Sequence, residues 1–586
     1  MNTFDKEILL SLKEHQFSSQ RALAKQLDLS LGTINHSINS LKAQDYINDD
    51  YEILSKAEAL FQKNKPKNAI ILAAGYGMRM VPINNEVPKG LLKIKNEPLI
   101  ERIIKQLHEV NITDISIVVG FMKEKYDYLI DEYGVKLICN NSYQTKNNLH
   151  SLYLIKDKIS NSYIIPCDVW CADNPFHTDE LYSWYMITKE KSRKSMIRLN
   201  RKKELVLTEE TEEKNKMIGI SYITAEDADY IKNNLLLMDK QPRYDNRYWE
   251  EVLIKNGKLL PAAKIAPANQ TFEIDTYEQL RELDSNSDHL RTEAVEIIKN
   301  ALNVNNKDIG EIKVLKKGMT NRSFLFTVND ESYIMRIPGE GTNQLINRKE
   351  EADIYKEIDP YHLCDPIIYI NPENGYKITK FYNNSRVCDP NNLGDLQKCV
   401  SFLRKFHKLN LKVDHTFDLF GKIDFYEQLW DDQPSIFEDY AQTKENILSL
   451  KSFIDSCGKD WCLTHIDAVP DNFLFLENGD IKLIDWEYAG MQDPHVDIAM
   501  FCIYSLFDPD QVDQFIDLYF DNHCLEVTRT KIYAYIAICG LLWSNWCEYK
   551  RNLGIEFGEY SLAQYRYAKE YFKKAKHRLG GQQCTK

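Results

Sequence analysis

The chain has 586 residues, a formal charge of −13, 43% hydrophobic residues and 27% charged residues. That length is too great for one hydrophobic core, so roughly three or four domains are expected, and the negative charge excludes broad, sequence-independent binding to nucleic acid or anionic lipid while leaving room for a local phosphate site. The thirteen cysteines are odd in number and form no CxxC pair, which excludes a disulfide framework or zinc site and reads as reduced thiols in the cytoplasm.

At the N-terminus, MNTFDKEILLSLKEH interrupts every apolar run with charge, unlike a signal peptide. Residues 1–62 read as short helices. Arg21–Ser30 followed by Leu31–Leu41 resembles a winged helix-turn-helix, with Gln44–Leu54 as the wing and Ser30 as the N-cap of the second helix. In such domains that helix enters the DNA major groove. Residues 1–60, however, hold six Lys or Arg against nine Asp or Glu. Phosphate contacts dominate DNA affinity, so a regulatory or dimerising role is favoured over operator binding, and a homo-oligomer is expected.

A lysine-rich joint, Gln62–Lys67, leads into a second domain at 66–288. Here the apolar strands AIILAAG, DISIVVG, VKLICN and SYIIPCDVW alternate with amphipathic segments, the pattern of a largely parallel sheet flanked by helices. The first strand runs directly into Leu72, Ala73, Ala74, Gly75, Tyr76, Gly77, Met78 and Arg79, and Pro88-Lys89 follows. Small residues after a buried strand let backbone N–H groups approach a nucleotide. Two cations at this spacing suit a triphosphate attacked at its α-phosphorus while pyrophosphate departs, Arg79 and Lys89 neutralising the leaving group. The pattern LAAGxGxR…PK resembles the nucleoside-triphosphate transferases, which include sugar-nucleotide pyrophosphorylases and phosphocholine cytidylyltransferases. That resemblance implies a Rossmann-like mixed-sheet domain that takes CTP. It also implies Mg2+ held by Asp168, at the end of Tyr163–Asp168, and by Asp275 in FEIDT. The run Asn140–Leu152 resembles the segment bordering nucleotide and acceptor in bacterial phosphocholine cytidylyltransferases, which assigns Asn147 and Asn148 to the substrate; as residues alone they also read as a turn.

The polar run Glu282–Asp288 closes that domain, and a third spans 293–586. It opens with the strand-like runs EIKVLK, SFLFTV and SYIMRI and continues as helices. The uncharged stretch Ile532–Cys547 is shorter than a bilayer span and reads as a buried helix, so no membrane partner is expected. His465-Ile-Asp467 with Asn472 forms HxDxxxxN, and Asp485 stands 18 residues after Asp467 at the end of the next strand. Kinase chemistry needs this set: Asp467 to accept the substrate hydroxyl's proton, Asn472 and Asp485 to hold Mg2+ on the nucleotide. His465 reads as a brace for the loop. Upstream, Gly318-Met-Thr320-Asn321 joins two strands and resembles the phosphate loop of choline and aminoglycoside kinases. That resemblance implies a two-lobed, protein-kinase-like domain and places Arg336 where most such kinases carry a phosphate-binding lysine. Glu351 shares a helical face with Ile354, Tyr355 and Ile358 and is the expected partner of Arg336, with neighbouring Glu350, or an exposed Glu351, as the alternatives. Trp543 and Trp546, three apart on a helix, face one side. With Glu487 and Tyr488 they match positions lining the choline site, where an ammonium without hydrogen-bond donors relies on aromatic faces and a carboxylate.

Together the resemblances imply a multidomain α/β chain that phosphorylates choline with ATP and couples phosphocholine to CTP, yielding CDP-choline for bacterial surface decoration. Ethanolamine, another amino alcohol or a sugar as substrate, or a choline- or nucleotide-sensing regulator, stand as alternatives.

Overall fold

Strands rich in Ile and Val without internal polar residues need cover on both faces, and the run NAIILA obtains it. In β1 (Asn68–Ala73), Ala69, Ile71 and Ala73 enter one core while Ile70 and Leu72 enter another on the opposite face. The computed structural model describes residues 1–586 apart from 16, 84–85, 193–194, 201, 209–213, 268–269, 316–320, 339–344, 431–432, 459, 553–556 and 584–586. The chain divides into two compact units, Met1–Glu296 and Ile297–Lys586.

The first unit begins with α1 (Thr3–Glu14), α2 (Gln20–Leu27) and α3 (Leu31–Ala43), the last capped by the Ser30 hydroxyl, which accepts from Thr33 N–H at 3.1 Å. The expected wing consists of one antiparallel bridge, Ile47 to Ile53. This helical module packs its core onto Leu181, and α1 adds an ion pair from Glu7 to Lys203 at 2.8 Å and a hydrogen bond between Glu14 and His177 at 2.9 Å. Asn35, His36 and Asn39 on the outer face of α3 are exposed.

After β1, the sheet is built from β2 (Ile115–Val119), β3 (Lys136–Cys139), β4 (Ser162–Pro166), β6 (Trp184–Lys191), β7 (Ile197–Leu199), β8 (Glu204–Leu207), β9 (Asn215–Ile223) and β10 (Lys258–Ile265), while β5 (Val169–Cys171) pairs outside it with β11 (Thr271–Glu273). The order is β3-β2-β1-β4-β9-β6-β10-β8-β7, with Ile254–Lys255 beside β10. Its first four strands are parallel and β9 runs against β4, giving a mixed sheet. The open ends of β1 and β4 lie side by side, which is where ligands bind in such sheets.

The second unit starts with an antiparallel sheet of β12 (Ile309–Val314), β13 (Asn321–Val328), β14 (Glu331–Pro338), β15 (Ile367–Ile370) and β16 (Lys377–Lys380), in the order β12-β13-β14-β16-β15. The helix α4 (Arg348–Ile358) buries Glu351, Ile354, Tyr355 and Ile358 together. A helical lobe follows, dominated by α5 (Glu526–Asn552) packed on α6 (Glu559–Gln583). Every residue from Ile532 to Cys547 is buried in α5. Among the described residues, no helix is long and apolar enough to cross a membrane.

Candidate functional sites

Each unit has a cavity that gathers the chemistry-bearing residues. In the first, the chain leaves β1 and turns at Gly77, whose φ of +63° favours glycine and where an added Cβ would come 3.5 Å from Lys89 Cβ. β4 delivers Asp168, and β11, paired with β5 in the register Glu273 to Val169, delivers Asp275 beside it. Lys89 Nζ donates to Asp168 and, at 2.5 Å, to Asp275; Arg79 reaches the other Asp275 oxygen at 2.6 Å. Burial opposes charge on Lys89, but Asp168 and Asp275 outweigh it and hold the ammonium above the ordinary lysine range. Asp168, Glu273 and Asp275 bring carboxylate oxygens within 4.8 Å of one another, an all-oxygen set that suits a hard divalent cation. Burial, then the charges of Asp168 and Asp275, push Glu273 up to about 7.

The cavity here is about 450 Å³. Leu72, Ala74, Gly75 and Gly77 line it, as do Arg79, Lys89, Asn147 and Asn148. Ala73 does not: strand alternation turns it into the core with Ile71. Asn147 caps the helix Asn148–Leu154 through its own side chain, and Asn148 accepts from Trp249 N–H at 2.8 Å. Both asparagines therefore shape the wall chiefly through structural hydrogen bonds. Sequence reading missed Glu273, although its spacing of two from Asp275 on an extended run was the available signal. It also missed Tyr143 and Tyr248 in the wall, for which local sequence carried none.

In the second unit the cavity is about 340 Å³ and is lined by Asp467, Asn472, Asp485, Tyr488, Trp543 and Trp546, among others. Asn472 Nδ2 donates to the Asp467 carboxylate at 3.1 Å and to its carbonyl at 2.9 Å. Burial and then the Asp485 and Glu487 charges raise the Asp467 carboxyl well above the usual range. The loop is braced from beneath. Asp497, fully buried, accepts from His465 and Ile466 N–H at 3.1 and 2.7 Å, and His465 Nε2 meets Ile484 O at 3.0 Å. Those bonds hold Ile466 at φ +69°, a strained value for a β-branched residue.

Arg336 forks onto Glu351, one nitrogen at 2.8 Å, and Arg348 joins at 3.0 Å. Glu487 lies 3.8 Å from Arg336 and 3.6 Å from Arg348. Its carboxylate thus faces the arginine network, while the residue also lines the cavity beside Tyr488, Trp543 and Trp546. The aromatic group does assemble: Trp543 meets Tyr488 at 5.6 Å and 90°, and Trp546 at 5.5 Å and 72°. Tyr504 and Tyr560 complete the wall, unannounced by spacing. Gly318 and Thr320 lie outside the described residues, as does the side chain of Asn321.

A carboxylate-and-lysine cluster at the open end of a mixed sheet, and a two-lobed unit with an Asp–Asn–Asp loop, define a nucleotidyltransferase joined to a kinase-fold phosphotransferase. Family models agree in chain order: winged helix-turn-helix DNA-binding over 1–48, MobA-like NTP transferase domain over 69–204, and choline/ethanolamine kinase over 312–518. The chain is 32% identical over 230 residues to the choline-phosphate cytidylyltransferase of Streptococcus pneumoniae, covering 37% of this chain and 96% of that protein. It is 26% identical over 258 residues to Protein LicA of Haemophilus influenzae, covering 42% and 95%. The crystal structure of choline kinase LicA from Streptococcus pneumoniae aligns with 48% of this chain and 98% of its own at 27% identity and a TM-score of 0.43. The chain belongs to the choline-phosphate cytidylyltransferase family and joins to it a choline/ethanolamine kinase domain.

Proposed function

We propose that the protein makes CDP-choline in two steps: choline and ATP give phosphocholine and ADP, then phosphocholine and CTP give CDP-choline and pyrophosphate. The observation carrying this reading is that Asp467 and the three rings of Tyr488, Trp543 and Trp546 share one cavity. A quaternary ammonium sits against aromatic faces, which sets the substrate hydroxyl towards a carboxylate able to take its proton. Asn472 and Asp485 would hold Mg2+ there, which supplies charge neutralisation at the transferred phosphoryl group.

In the transferase cavity Asp168, Glu273 and Asp275 would hold Mg2+. The phosphocholine oxygen forms a bond to the α-phosphorus of CTP as the α–β bridging bond breaks. Arg79 and Lys89 then exchange their carboxylate partners for the negative charge growing on pyrophosphate. The proposal extends to a cytoplasmic location, where both nucleotides are supplied, and to a product used for phosphocholine decoration of the cell surface. The test is a mass-spectrometric product assay of the full chain with choline, ATP, CTP and Mg2+, with ethanolamine and sugars in parallel. Phosphocholine followed by CDP-choline is expected; turnover confined to another acceptor, or none, refutes the reading.

A further inference from the structure

The kinase cavity contains a second buried cation. Lys377 opens β16 and stands opposite Arg336 in the antiparallel register with β14, so the two side chains leave the same face of the sheet. It lines the same cavity as Asp467, Asn472 and Asp485. Its Nζ donates to the Tyr355 hydroxyl at 2.5 Å and lies 3.8 Å from Glu351, with 8% of the side chain exposed. An ammonium has three donors, and among the described residues the Tyr355 oxygen is the one acceptor within hydrogen-bond distance of it.

Arg336 is in the opposite condition. Both terminal nitrogens are bound to Glu351, and one also donates to Gly375 O at 3.1 Å. Arg336 lines the cavity too and its Nε–H has no partner among the described residues, but its terminal nitrogens are committed to a buried, bidentate pair, the strong form of such contact. Lys377 must give up one phenol at most. A compact ammonium on a flexible stem also suits a phosphate oxygen without the planar match a guanidinium needs.

We propose that Lys377, delivered from the neighbouring strand, supplies a second cation, an ammonium that binds the nucleotide phosphates beside Arg336, which also anchors Glu351. The proposal rests on the kinase reading above. Burial and the adjacent Arg336 lower the proton affinity of Lys377, so an incoming polyphosphate gains a cation the empty cavity disfavours.

The experiment is steady-state kinetics of the full chain carrying Lys377→Met, with calorimetric titration by MgADP. The expected result is a rise of about tenfold to a hundredfold in the KM for ATP and in the MgADP dissociation constant, the size of one charged hydrogen bond. The choline KM stays within about twofold, and Lys377→Arg recovers most of the loss. An unchanged KM for ATP, or a parallel rise in both KM values with a lowered Tm, overturns the proposal in favour of a structural lysine. Where Lys377→Met does not fold, Lys377→Gln is read the same way. If the wild-type chain phosphorylates neither choline nor the parallel acceptors, the kinase reading fails, while MgADP titration still decides the role of Lys377.

Discussion

Replacing Glu351 by Gln keeps the shape of the buried side chain and removes its charge, which makes it a direct probe of the kinase ion network. Glu351 is 1% exposed and faces Arg336, Arg348 and, at 3.8 Å, Lys377. Burial alone raises its carboxyl; Arg336, Lys377 and Arg348 overcome that and bring it down from 4.5 to about 2. At 1.36 kcal/mol for each tenfold, the difference contributes about 3 kcal/mol. Breaking a buried pair by removing one partner costs roughly 3–5 kcal/mol on general grounds, so the two routes agree. Differential scanning calorimetry of Glu351→Gln reads it, with the kinase transition identified as the one ATP shifts. A fall of roughly 5–10 °C is expected for that transition. Because the folded carboxyl titrates below the unfolded one, the stabilisation is complete above pH 4.5 and is lost as pH falls from there to about 2. The wild-type transition should therefore weaken more steeply over that range than the variant's. A loss under about 1 kcal/mol, or equal acid sensitivity in both proteins, would refute the network as a source of stability.

Asp467→Asn should lower choline phosphorylation by about a thousandfold, the scale of general-base catalysis, with cytidylyl transfer to supplied phosphocholine unchanged in the same protein. Lys89→Met should do the reverse, lowering the transferase kcat by roughly a hundredfold to a thousandfold while leaving kinase rates intact. Loss of both activities in either variant would contradict two separate sites. Trp543→Ala should raise the choline KM about tenfold through the lost cation–π face, with the KM for ATP unchanged; a selective change in the ATP constant would remove the ring from the head-group site.

The spacing of HxDxxxxN with Asp485, and LAAGxGxR followed by Pro-Lys, singled out residues that line the two cavities. Asp467 and Asn472 share one loop, where local sequence governs geometry. The helical period likewise placed Glu351 on the buried face with Tyr355, and the apolar run Ile532–Cys547 read correctly as core. What needed the fold were pairings between distant strands. Only the alignment of β11 with β5 brings Glu273 and Asp275 to Asp168, and only the register of β14 with β16 sets Lys377 beside Arg336. Glu487 shows the limit most plainly. Its neighbour Tyr488 faces Trp543, and sequence suggested a shared head-group role. Glu487 does line that cavity, but its carboxylate also faces Arg336 and Arg348, because a buried charge takes its position from the nearest counter-charges, and those come from other parts of the chain.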